Sequence, residues 1–384
     1  MKSVKALTER PADPSVVYTD AASHIGAMAM KQLFNWNYVR VRSIAVLSAV
    51  TMLLGLVACS SGSESFEIRI ADSYSPKHPF GKYGTAHFIE GLESSGVAVE
   101  YYPSGQLGNA RDLANMVREN ALDIAPASPA YLEDELPLSS VSDLPNMTDD
   151  ACVAANAMMK LLSPGGTLYE REYKPRMMRP LWVAIIPSYE IMTAQRKVST
   201  PQDLNGLLMR SSGGAFDVTT ATLGASPVSM TAADTFEALS RGTVDGTAFP
   251  FISAVSYDLG GVAKYSTEGL NVGAVGIPYV IAESTFEKMT DSQQEELRSL
   301  SEKTNSTLCE GINEDQTTSK KKLEESGVEF TAITSADRPL WEETMATAKN
   351  DWAQSLDAVG RPGSEVLAEY EAAIKEFEGQ RKRS

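Results

Sequence analysis

The sequence predicts an α/β fold in two lobes, with strands crossing between the lobes and long C-terminal helices. Three observations carry this reading. Strand and helix patterns alternate from residue 66 to 126, the order expected of a parallel sheet flanked by helices. The alternation restarts beyond the proline-containing stretch 175–180. The roughly 325 residues that follow an apparent leader also exceed what one core usually serves.

The elements follow in order. Residues 66–71 form a first strand with Ile68 and Ile70 on one face, ended by Asp72-Ser73-Tyr74. Pro76 and Pro79 bracket a loop before a helix over 81–92. A second strand over 97–101, the turn Pro103-Ser104-Gly105 and a helix over 109–119 lead to a short strand at 123–126. That strand delivers Ser128, Pro129 and Tyr131 into a loop. Two apolar runs, 181–186 and 189–194, are parted by Pro187 and suit strands that cross between lobes. Thr200 caps a short helix with Pro201 at its first position. A strand over 207–210, a helix over 216–223 stopped by Gly224, a helix over 231–240 stopped by Gly242, and a strand ending at Phe249 follow. Residues 284–309 and 340–377 are mainly helical, the second run broken near Gly360-Arg361-Pro362-Gly363. The expected division is 66–187 with 276–315 for lobe I, and 188–275 with 316–384 for lobe II.

Ahead of these elements, Arg40 and Arg42 precede an apolar stretch, 44–58, that closes on Leu56-Val57-Ala58-Cys59. A basic flank, a short apolar run and a small residue at the boundary describe an export signal. The stretch falls short of the roughly 20 apolar residues of a bilayer span. Leu-x-Ala-Cys resembles the bacterial lipoprotein signal, which implies a cleaved leader at 1–58, lipidation of Cys59 and a tether over 59–65. Met28 or Met30 would be a more ordinary start than Met1.

Composition narrows the function. Formal charge is -16, and without residues 1–59 it becomes -19, from 28 basic and 47 acidic side chains. Such a surface excludes nucleic acid as a partner. With Cys59 lipidated, Cys152 and Cys309 remain; their compartment permits a disulfide, but two buried free thiols are the expectation. Three histidines leave no His/Cys cluster for a metal, and no cofactor is implied.

Arg210 is the leading binding residue. It ends a strand, where open α/β sheets bind ligands, and Ser211-Ser212-Gly213-Gly214 leads from it into a helix. A guanidinium fork beside free backbone N–H groups suits a carboxylate. Phe249 is expected as an apolar wall. Tyr74, Ser128, Tyr131, Tyr189 and Thr247, all near strand ends or the crossover, offer rings or hydroxyls, as does Ser211. Trp182 and Phe251 are expected in cores, and Asp245 as a backbone brace.

The chain resembles the extracytoplasmic solute-binding proteins of TRAP transporters, the DctP-like family. The matching pieces are Ile70-Ala71-Asp72-Ser73-Tyr74 with His78-Pro79, Tyr102-Pro103-Ser104-Gly105-Gln106-Leu107-Gly108, Asp123-Ile124-Ala125, Thr200-Pro201-Gln202-Asp203-Leu204-Asn205-Gly206-Leu207, and Gly242-Thr243-Val244-Asp245-Gly246. The resemblance implies a two-lobed periplasmic-binding-protein-like fold. It closes on a small organic acid, with Arg210 as the selectivity arginine, and delivers the acid to the transporter's membrane subunits. It further implies a monomer in the periplasm or at the outer face of the envelope. Where relatives often carry Asn or Gln near the Val-Asp-Gly strand, this chain has Thr247-Ala248-Phe249-Pro250, and Ala194 stands where many have Asn. Both changes favour a less hydroxylated, partly apolar acid over a sugar acid, since buried hydroxyls need partners. The alternatives are a structural or signalling envelope lipoprotein and, last, a hydrolytic enzyme. For the enzyme no nucleophile–base pair or Gly-x-Ser-x-Gly elbow is seen.

Overall fold

The computed structural model describes residues 67–383. The leader, the tether and Cys59 lie outside the described residues. Two mixed sheets form the two halves of the fold. The first has strands β1 (Glu67–Ala71), β2 (Ala98–Tyr102), β3 (Ile124–Pro126), β4 (Met178–Ile186) and β10 (Val275–Ala282), in the order β2-β1-β3-β10-β4. The second has β5 (Glu190–Thr193), β6 (Leu208–Ser211), β7 (Ser226–Ser229), β8 (Gly246–Phe249), β9 (Tyr265–Glu268) and β11 (Glu329–Ala332), in the order β11-β9-β5-β8-β6-β7.

The strand–helix alternation gives the expected parallel pairs, and the crossing strands add antiparallel ones. β10 runs antiparallel to β3 and β4, and β5 runs antiparallel to β8 and β9. The reason is the crossing. β4 continues into β5 through Pro187, Ser188 and Tyr189, and β9 continues into β10 through residues 269–274. A strand that arrives from the other sheet starts where its neighbours end, so it must run against them.

Local chemistry matches most elements. Asp203 closes a capping box with Thr200, its carboxylate accepting from the Thr200 N–H at 2.9 Å. Gly224 follows the helix Ala215–Thr222 at φ +92°, and Gly242 the helix Thr235–Ser240 at φ +68°. Trp182 is fully buried and stacks on Tyr279 with centroids 4.6 Å apart, while Phe251 meets Phe330 edge-on at 5.2 Å. Asp245 accepts from Leu208 N–H at 2.8 Å, the expected backbone brace.

The helix expected to end at 309 runs on as Asp291–Glu325, 35 residues long. At 1.5 Å per residue this is about 50 Å, enough to span both halves. Leu297, Leu308 and Ile312 pack into the core around the first sheet, and Leu323 into a cluster with Met192, Val244 and Leu259 against the second sheet. Gly311 does not end it. A Cβ there would sit 2.6 Å from the Tyr83 ring, so glycine serves close packing instead. A helix absent from the sequence reading, Ala151–Leu162, is capped by Asp150, whose carboxylate accepts from Cys152 N–H at 2.8 Å. This helix brings Cys152 to Cys309, and the two form a disulfide, correcting the expectation of free thiols. The last helix, Gly363–Arg381, lies on Ala151–Leu162, with Val366, Tyr370 and Ile374 in the first core.

Three carboxylates near the crossings and the first core are buried. Burial pushes Asp143, Glu172 and Glu190 up to about 7. Asp143 Oδ2 has no hydrogen-bond partner among the described residues, which fits a protonated acid. Such groups favour folding most below the ordinary carboxylate range, and that contribution is lost as pH rises through 7. The melting temperature should therefore fall from pH 5 to pH 8, and Asp143→Asn should flatten part of that slope. A melting temperature that climbs steadily across this range would count against it.

Candidate functional site

The ends of β1, β3, β6 and β8 converge on one cavity between the sheets. Its lining comprises Tyr74, His78, Phe80, Ser128, Tyr131, Tyr189, Arg210, Ser212, Ala232, Phe249, Ser253, Tyr257, Val275 and Ile277. The fold thus gathers six expected residues, Tyr74, Ser128, Tyr131, Tyr189, Arg210 and Phe249. Ser211 and Thr247 do not line the cavity. Side chains alternate along a strand, so Ser211 faces away from Arg210, and its hydroxyl accepts from Gly213 N–H at 3.1 Å. Thr247 lies two residues deeper than Phe249, is fully buried, and donates to Ala248 O at 3.1 Å.

Arg210 is 3% exposed. Its Nε and Nη2 donate to Met230 O at 3.2 and 2.9 Å, which fixes the guanidinium plane. The guanidinium carbon lies 5.5 Å from the centre of the Phe249 ring. Among the described residues no carboxylate lies within 4 Å of it, and Nη1 makes no hydrogen bond. A buried cation without an anionic partner is costly in the empty protein and ready for an anion.

The walls are aromatic. Tyr74, His78 and Phe80 pack with centroids 4.5 to 4.9 Å apart. Tyr257 joins His78 at 5.7 Å and Phe249 at 6.0 Å, and Tyr189 lies 6.2 Å from Phe249. Burial pushes the Tyr74 and Tyr189 phenols well above their ordinary value, so both stay protonated donors. Burial also pushes His78 down to about 3, leaving a neutral ring.

The backbone amides expected beside Arg210 are used by the protein itself. Gly214 N–H, at the start of helix Ala215–Thr222, donates to Glu133 Oε2 at 3.0 Å, and Glu133 belongs to the first half. Gly213, at φ +102°, brings this loop so near that a Cβ would sit 2.6 Å from Ala130 O. Further bonds join the halves here: Ala232 N–H to Tyr131 Oη at 3.0 Å, Arg111 Nη2 to Ser229 Oγ at 3.3 Å, and His78 Nε2 with Ser253 Oγ at 3.2 Å. The two halves are closed on each other.

Tyr257, Ser253 and Phe80 were not read as site residues, and His78 entered only as part of the His78-Pro79 match. A signal did exist for two of them. The helix Phe251–Ser256 begins directly after the cleft end of β8, where α/β folds place ligand contacts, and it carries Ser253 into Tyr257. The described residues hold no cluster of His, Cys, Asp or Glu able to bind a metal ion, and no helix long and apolar enough to cross a membrane.

Residues 71–355 match the family described as bacterial extracellular solute-binding protein, family 7 (DctP). The chain is 25% identical over 343 residues to the C4-dicarboxylate-binding periplasmic protein DctP of Rhodobacter capsulatus, covering 87% of this chain and 99% of that one. The fold is similar to a TRAP solute-binding protein of Rhodoferax ferrireducens T118 in complex with copurified benzoate. The TM-score is 0.74 at 18% identity, over 82% of this chain and 99% of that chain. It is also similar to a TRAP periplasmic solute-binding protein of Sulfitobacter sp. NAS-14.1 with bound β-D-galacturonate, with a TM-score of 0.69 at 18% identity over 80% and 99%. One fold thus accompanies an aromatic acid in one protein and a sugar acid in another, and only the pocket's own residues discriminate between them.

Proposed function

The chain belongs to the bacterial extracellular solute-binding proteins of family 7, and on that premise we propose that it captures a small aromatic monocarboxylate and delivers it to the membrane subunits of a TRAP-type transporter. One observation carries the ligand class: a buried arginine with no anionic partner opens into a cavity walled by Tyr74, Phe80, Tyr189, Phe249 and Tyr257. The arginine supplies the carboxylate fork. A phenyl group that buries about 150 Å² contributes about 4 kcal/mol before ordering costs. A hexuronate has hydroxyls around its whole ring, and Phe80, Phe249, Val275 and Ile277 leave those that face them without a partner, whereas the few tyrosine and serine hydroxyls of the cavity suit an acid with little oxygen beyond its carboxylate.

Binding works by closure. The acid enters between the halves, and their approach removes water and strengthens the ion pair. The moving bodies are 66–187 with 276–315 and 188–275 with 316–384, with one change. The helix Gly363–Arg381 goes with the first body, because it packs on Ala151–Leu162. The protein acts as a binder without chemistry, as a monomer outside the cytoplasmic membrane, anchored by lipid on Cys59. Intact mass of the native protein tests the anchor: an unmodified chain starting elsewhere rules it out.

The ligand class is tested by a thermal-shift screen of short carboxylates followed by solution scattering. Benzoate-type and arylalkanoic acids should give larger shifts than uronates and aldonates, and should reduce the radius of gyration of the unliganded protein. If a hexuronate gives the largest shift with micromolar affinity, the aromatic reading is wrong. An unchanged scattering profile at saturation argues against closure.

A further inference from the structure

His78 and Ser253 face each other across the closed cavity, His78 from the loop after β1 and Ser253 from the helix after β8. Both are buried, at 3% and 5% exposure. His78 Nδ1 accepts from Phe80 N–H at 3.2 Å. A ring nitrogen that accepts carries no proton, so the neutral imidazole holds its proton on Nε2. Nε2 lies 3.2 Å from Ser253 Oγ and therefore donates to it. Ser253 Oγ is left with its own O–H to give. Other helix serines return that proton to a carbonyl one turn back, as Ser256 does to Ile252 O at 3.1 Å and Ser301 to Leu297 O at 2.7 Å. Ser253 does not, and among the described residues its proton has no acceptor. The hydroxyls of Tyr74, Tyr189 and Tyr257 on the same cavity likewise make no hydrogen bond among the described residues.

We propose that the His78–Ser253 pair sets ligand specificity: Ser253 donates to an oxygen that the acid carries beyond its carboxylate, a ring hydroxyl or an α-keto group. The inference rests on the aromatic-acid reading and deepens it, from aromatic acids in general to oxygen-substituted ones. His78 is the positioning residue, because its donated proton turns the serine hydroxyl away from itself. The pair spans both halves, so it exists only after closure, and a ligand oxygen completes a chain from His78 through Ser253. A bare ring would leave the serine proton buried and unpaired, which is the situation that lets polar sites reject analogues lacking a hydroxyl.

Calorimetry with benzoate, the three monohydroxybenzoates and phenylglyoxylate tests this on the wild type, Ser253→Ala and Ser253→Thr. The wild type should bind at least one oxygen-substituted acid about tenfold tighter than benzoate. Ser253→Ala should bring that ratio to within about threefold of one, and Ser253→Thr should restore much of the preference. A preference unchanged in Ser253→Ala, or equal wild-type affinity for all five acids, overturns the assignment while leaving the aromatic-acid reading intact. A folded protein that binds none of the five overturns both.

Discussion

Arg210→Ala should weaken acid binding by about 2–5 kcal/mol, which is on the order of 30-fold to several thousand-fold in dissociation constant. The loss arises because the ligand carboxylate would enter a buried, aromatic-walled space with no opposing charge. Arg210→Lys should also bind poorly. An ammonium cannot hold the Met230 carbonyl through two N–H groups and still present a free edge to a carboxylate. The fold should survive, because Arg210 forms no ion pair among the described residues. Removing the unpaired buried cation relieves a desolvation cost that offsets the two lost hydrogen bonds to Met230 O, so the melting temperature of the ligand-free alanine variant should change little. Calorimetry that finds near wild-type affinity in Arg210→Ala would refute the carboxylate clamp.

Breaking the Cys152–Cys309 bond should lower stability by about 2–5 kcal/mol, without a matching loss of affinity. The bond closes a separation of 157 residues and ties the helix Ala151–Leu162 to the long helix Asp291–Glu325. In the chain-entropy account, a loop of this length restricts the unfolded chain strongly. Neither cysteine lines the cavity, so binding should be spared. The comparison uses denaturant midpoints of the wild type, the reduced wild type and the Cys152→Ala/Cys309→Ala double variant. Alanine avoids leaving a polar hydroxyl at sites only 5% and 4% exposed. A midpoint unmoved by reduction would show that the bond contributes nothing.

The elements read from the sequence were those with local signals. Alternating Ile68 and Ile70, the Thr200–Asp203 box and the glycine stops at 224 and 242 each act within a few residues. The elements not read had no such signal or a misleading one. β10 is central in its sheet, yet Gly276 and Pro278 punctuate it. Proline lacks the N–H of an interior strand residue and ordinarily marks an edge. Pro278 still pairs with Val183, and the ladder shifts register only beyond Tyr279, where β4 carries Leu181 as an extra residue. The long helix passes Gly311 because the Tyr83 ring fills the space a side chain would need.

By itself the sequence determined the α/β order, the crossing at Pro187 and the arginine at the end of β6, because strand alternation, caps and breakers are local properties of the chain. Tertiary structure alone decided what surrounds that arginine. His78 and Ser253 are 175 residues apart and meet only when the two sheets close. Glu133 reaches Gly214 from the other half and occupies the amide that the local pattern had left free. The Cys152–Cys309 pairing depends on the approach of two helices. Each is a through-space contact between segments whose own patterns are complete without it, so no periodicity along the chain records it.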